Sequence, residues 1–101
     1  MINPNSLEIG KGWRQLVVSL DATLRSIDPD YQVLQIKEKF GGLRFYFRHS
    51  ESLSQKLIDN MNKCVDVVEW MSENTCEWCG APGEKRTVNH WVKTVCESCN
   101  R

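Results

Sequence analysis

A chain of 101 residues and 11.7 kDa, 41% of them apolar, has enough material for one modest core and not for two. Its 13 basic and 13 acidic residues cancel, which argues against general polyanion binding driven by net charge. No apolar run nears the roughly 20 residues of a membrane span, and the opening MINPNSLEIGKGW lacks the basic start and apolar stretch of a signal peptide. The expected setting is therefore reducing and cytoplasmic, with no membrane partner.

The charges are unevenly placed: −1 over residues 1–30, +3 over 31–49, −3 over 50–75 and +1 over 76–101. The first element lies over residues 11–27, where Trp13, Leu16, Val17, Leu20, Leu24 and Ile27 recur at helical spacing. Arg14, Gln15, Ser19, Asp21 and Arg25 are expected on the polar side. Asp28-Pro29 ends the helix, since the residue before proline is pushed out of helical geometry.

Residues 31–48 read as a hairpin around Gly41-Gly42. If the two glycines are the centre of a primed turn, Phe40 faces Leu43, Lys39 faces Arg44, Glu38 faces Phe45 and Lys37 faces Tyr46. Alternation then sorts IKEKFGGLRFYFR into two faces. The inner carries Leu34, Ile36, Phe40, Leu43, Phe45 and Phe47, with Glu38 as the exception. The outer carries Gln35, Lys37, Lys39, Arg44, Tyr46 and Arg48. An unpaired carboxylate among apolar groups is costly, so Glu38 should meet backbone donors or a cation: Arg14, Arg25 or a residue of the tail.

A second amphipathic helix follows. Ser52 is the expected N-cap, with Gln55 completing a capping box. Leu53, Leu57, Met61, Cys64, Val68 and Met71 form its stripe, widened by Ile58 and Val65, while Glu51, Asp59, Asp66, Glu69 and Glu73 face solvent. Trp13 and Trp70 fit core stripes or their edges, and Cys64 reads as a small core residue.

The tail, CEWCGAPGEKRTVNHWVKTVCESCNR, holds two CxxC pairs, Cys76/Cys79 and Cys96/Cys99, with sixteen residues between them. Four thiolates on two knuckles suit a single tetrahedral zinc. Four cysteines leave no open position, so the zinc is expected to be structural and not catalytic. His90, at an expected turn with Asn89, is the nearest competing ligand. The expected whole is α+β: a helix–hairpin–helix core over residues 1–75 with a zinc-ribbon-like Cys₄ module packed on it over residues 76–101.

CxxCG, Asn89-His90 and CxxCN in that order also resemble the zinc-stabilised HNH nucleases, in the cysteines and one histidine. Those enzymes need a second catalytic histidine or asparagine on a following metal-binding helix. Here five residues separate His90 from Cys96, and His49 lies in an unrelated segment. No enzyme is expected, and a degenerate HNH-like nuclease is the remote alternative.

KEKFGGLRFYF with the later CxxCGAPG and WVKTVCxxC resembles a group of small proteins recurring in phage and prophage genomes. The likeness covers residues 37–47 and 76–99. It implies an accessory protein acting in the cytoplasm of a bacterial host, on its defences or its transcription, and it carries over no functional residue.

Two functions follow from the residues. In the first, Lys37, Lys39, Arg44 and Arg48 neutralise the phosphates of a nucleic acid or nucleotide and Tyr46 stacks on a base. In the second, exposed tryptophans make a protein–protein inhibitor or adaptor of a host protein, a homodimer included. Trp78 and Trp91 are hard to bury in so small a unit. The plain alternatives are a solvated edge hairpin and tryptophans that cover the metal site.

Overall fold

The structure, a computed structural model, describes residues 2, 3 and 7–100; residues 1, 4–6 and 101, at the two ends of the expected segments, lie outside the described residues. A 3₁₀ turn, Lys11–Trp13, leads into helix α1, Arg14–Ile27. Strands β1, Gln32–Lys39, and β2, Gly42–Arg48, form one antiparallel hairpin. Helix α2, Gln55–Ser72, follows, and strands β3, Glu84–Val88, and β4, Trp91–Val95, make a second antiparallel hairpin. The architecture is the expected α+β one.

Ile9, Trp13, Val17, Leu20, Leu24, Tyr31, Leu43, Phe45, Met61 and Val65 form the core between the two helices and the inner face of the first hairpin. Asp28 is extended and closes α1, as the proline after it requires. Asp21 departs from its expected place on the polar side of α1: it is buried, accepts a hydrogen bond from the Tyr31 hydroxyl and pairs with Arg25 at 3.3 Å. Trp13 is fully buried, whereas Trp70 is 64% exposed and belongs to no core stripe.

The first hairpin turns one residue earlier than expected. Phe40 (φ 53°) and Gly41 (φ 81°) are the central pair, so Lys39 faces Gly42, Glu38 faces Leu43, Lys37 faces Arg44 and Ile36 faces Phe45. The sum of paired positions changes by two, so the two faces survive. What changes is which amides point away from β1. Leu43 N–H donates to Ser72 Oγ (2.9 Å) and Phe45 N–H to Glu69 Oε2 (2.9 Å). Helix α2 thus satisfies the free edge of β2, and Glu69 is half-buried instead of facing solvent.

Two residues leave the apolar face. Phe40 stands in the turn, and an irregularity between Val33 and Gln35 lets Val33 pair with Phe47 and pack on the core while Leu34 is exposed. The cap of α2 also moves two residues on. Ser54, not Ser52, accepts from Leu57 N–H. Leu53 then holds the position before the cap and packs on the core, with Ile58 four residues into the helix, the placement of a hydrophobic staple.

Candidate metal centre

The four tail cysteines reach one point because α2 and β4 both run into tight turns there. After α2, Cys76 N–H donates to Ala81 O (2.7 Å) and Gly80 N–H to Cys76 O (2.9 Å), folding Cys76–Gly80 into a knuckle. Gly83 N–H donates back to Asn74 O (3.0 Å), and Thr75 bridges Pro82. Strand β4 delivers Cys96 directly, and Asn100 N–H to Glu97 O (3.3 Å) closes the second knuckle.

All four Sγ atoms lie within 4.8 Å of one another, and Cys79 and Cys96 Sγ are 3.6 Å apart. Tetrahedral zinc–sulfur bonds of about 2.3 Å place the sulfurs about 3.8 Å apart, so donor set and spacing both suit such an ion. All five cysteines are free thiols. Cys76 is buried, Cys96 and Cys99 are half-buried, and Cys79 is exposed.

Thiol electrostatics point the same way. Burial alone would raise the Cys76 thiol, yet backbone hydrogen bonds around the knuckles outweigh it and bring the thiol down to about 6. Cys99, sharing its proton with Cys96 and Cys76, is pushed up to about 12. Four thiols this close cannot all ionise on their own, and a bound cation inverts that balance. His90 is not among the metal-competent cluster found in the described residues; it sits in the two-residue β3–β4 turn with Asn89 (φ 70° and 51°).

The first knuckle is also seated on the core, by Trp13 of the expected apolar stripe and by Gly10, Gly12 and Glu77, which sequence patterns did not single out. Trp13 Nε1 donates to Thr75 O (2.9 Å) and Gly12 N–H to Glu77 O (2.7 Å). A Cβ added at Gly12 would stand 2.1 Å from Cys76 O, and one at Gly10 2.2 Å from Glu77 O. The G-K-G spacing ahead of Trp13 was the available signal. Glu77 is buried: its Oε2 accepts from Gly10 N–H (3.3 Å), Lys93 Nζ is 3.9 Å from Oε1, and burial pushes its carboxyl above the usual range.

Lys93 ties the knuckle to the first hairpin. Its Nζ lies 3.3 Å from Glu38 Oε1, while Glu38 Oε2 accepts from Gly41 N–H at 2.8 Å. Glu38 therefore has both the cation and the backbone donor its position demanded, and the cation comes from the tail. Thr94 Oγ1 donates to Gly41 O, and Thr94 O accepts from Glu77 N–H (2.9 Å), completing the seam.

The outer face of the first hairpin holds Lys37, Lys39, Arg44, Tyr46 and Arg48. Lys37 stands directly opposite Arg44, and its Nζ is 5.8 Å from the centre of the Tyr46 ring. None of the four cations has an acidic partner among the described residues, whereas Arg25, Lys85, Arg86 and Lys93 do. No described helix is long and apolar enough to cross a membrane. Comparison of the chain with protein-family models, curated proteins and solved structures found no match.

Proposed function

We propose that this chain is a non-enzymatic recognition domain, held by one structural zinc on Cys76, Cys79, Cys96 and Cys99, that binds a phosphate-bearing ligand through Lys37, Lys39, Arg44, Tyr46 and Arg48. The observation that carries the reading is the cross-strand pair Lys37 and Arg44. Like charges directly opposite one another weaken a hairpin unless an anion neutralises them. The zinc supplies cross-linking: four thiolates on one ion fix a segment that has little core of its own. A role on host defences or transcription in a phage setting rests on the resemblance of residues 37–47 and 76–99.

The test is fluorescence anisotropy with labelled DNA, RNA and nucleotide at several salt concentrations. Replacing Lys37, Lys39 and Arg44 together by alanine should abolish most binding without unfolding. The dependence of log affinity on log salt should fall by about 2, at roughly 0.7 per single-strand phosphate contact. Unchanged affinity in the triple variant at physiological salt would reduce the face to a solvated surface.

A second reading, a protein adaptor or inhibitor, is favoured by one feature of α2. Val67, Trp70 and Met71 are exposed together at positions three and four apart. Trp70→Ala abolishing capture of a host protein, with binding insensitive to salt, is the pattern that would choose it.

A further inference from the structure

We infer that Phe40, Trp91 and Trp78 form a base-stacking site where the first hairpin's tip meets β4, and that the phosphate-bearing ligand is a single-stranded nucleic acid. This rests on the preceding reading of the cationic face and names the ligand class it serves. Phe40 is 67% exposed, Trp91 71% and Trp78 50%, so all three rings leave half or more of their surface to solvent. Two shallow cavities open beside them. One, of about 200 Å³, is lined by Glu38, Lys39, Phe40, Trp91 and Val92. The other, of about 280 Å³, includes Trp78, Trp91 and Lys93. Trp91 lines both, so the aromatic walls are continuous.

Phe40 is the decisive residue. Its φ of 53° lies where a bulky side chain is strained and where asparagine or glycine would be at ease, yet the chain spends that position on an exposed phenyl ring. Folding does not explain the choice; a flat partner does. Lys39 Nζ lies 5.7 Å from the centre of the Phe40 ring, and Lys39 has no acidic partner among the described residues. The unpaired cations thus run from Lys37 and Arg44 up to the aromatic junction, the complement of a backbone whose bases turn toward the rings. A duplex keeps its base faces stacked inside and offers the rings none; a single strand offers them all.

The experiment measures binding of the full chain, purified with zinc, to labelled oligothymidylate, oligouridylate and a DNA duplex of equal length, by anisotropy and tryptophan quenching. Single strands should bind at least about tenfold more tightly than duplex. Phe40→Asn, which suits the turn, should keep or raise thermal stability. It should weaken single-strand binding by about 10- to 100-fold and leave the salt dependence unchanged. Trp91→Ala should act alike. Preference for oligothymidylate or for oligouridylate supports the site equally. Undiminished single-strand binding by Phe40→Asn and Trp91→Ala, or equal binding of duplex, overturns this inference; if the triple cation variant still loses affinity, the reading beneath it stands. Absence of binding by every oligonucleotide overturns the site, and if mononucleotides fail too it removes the phosphate reading as well.

Discussion

Glu38 shows how one residue's surroundings follow from a strand's alternation. Parity puts it on the apolar side, and desolvation there is tolerable only because Gly41 N–H and Lys93 Nζ both reach it. Glu38→Gln keeps an acceptor for Gly41 but removes the charge facing Lys93, and it should lower stability by about 1 kcal/mol. Glu38→Ala should cost more, because the amide then loses its acceptor. Denaturant melts of both variants check the order, and equal stability of Glu38→Gln and wild type would refute the pairing. Asp28 gives a pH dependence of known sign. The Ser50 hydroxyl (2.6 Å), against the opposing effect of burial, holds its carboxyl below the usual range, helped by Ser50 N–H (2.7 Å) and Asp30 N–H. A depressed folded pKa contributes stability above the unfolded value of about 3.9 and loses it as pH falls through the folded one. Stability measured from pH 7 downward should begin to fall near pH 4, and Asp28→Asn should flatten that part of the curve while lowering stability at pH 7.

At the scale of the element, the two hairpins differ in what makes them form. The first pairs seven to eight residues per strand, packs an apolar face on two helices and has the β2 edge satisfied by Ser72 and Glu69. The second has five-residue strands, with Trp91 and Val92 exposed, and depends on the knuckles at its base. Removing metal with a chelator should therefore release β3 and β4 first. Amide exchange would show lost protection over Glu84–Val88 and Trp91–Val95 with α1 still protected, and equal protection in both states would contradict a structural metal. The same hairpin turns at Asn89-His90 with both φ values positive, a region that asparagine and histidine enter more readily than most residues and glycine more readily still. His90→Gly should stabilise the protein by no more than about 0.5 kcal/mol, because relief of the positive φ is partly offset by the greater freedom of glycine in the unfolded chain, and a melting-temperature comparison checks it.

For the molecule as a whole, extents of 47 × 24 × 20 Å and a radius of gyration of 14.3 Å, against about 13 Å for a compact chain of this length, describe an elongated body. What couples its ends is the seam in which Gly10, Gly12 and Trp13 meet the Cys76–Gly80 knuckle, and Glu38 and Gly41 meet Lys93 and Thr94. Gly12→Ala places a methyl 2.1 Å from Cys76 O and 2.4 Å from Gly80 N, both backbone atoms that cannot swing aside. A loss of about 1–3 kcal/mol is expected, with weaker retention of the proposed zinc in a chelator competition, because the displaced backbone carries two of the thiols. Full stability and undiminished metal affinity in this variant would show that knuckle and core are independent.

The helices, the first hairpin, the Asn89-His90 turn, the four-cysteine cluster and the inward place of Glu38 were legible in the sequence, because each depends on local spacing: 3.6-residue and two-residue periods, turn pairs and CxxC. The rest depends on what the chain meets only once folded. The first turn sits at Phe40-Gly41 and not at Gly41-Gly42 because Leu43 and Phe45 then offer their amides to Ser72 and Glu69, acceptors 29 and 24 residues away. Asp21 is buried because the Tyr31 hydroxyl needs an acceptor beneath the hairpin, and Trp70 is exposed because α2 turns its other side to the core. Glu77 and Lys93 carry no periodic signal, since their partners come from the core's first turn and the first hairpin. Local patterns set which elements form and which face of each is apolar. Tertiary contact chose register, cap position and the seam between metal centre and core, because the partners that decide these are distant in sequence and cost no extra chain entropy once the core has closed.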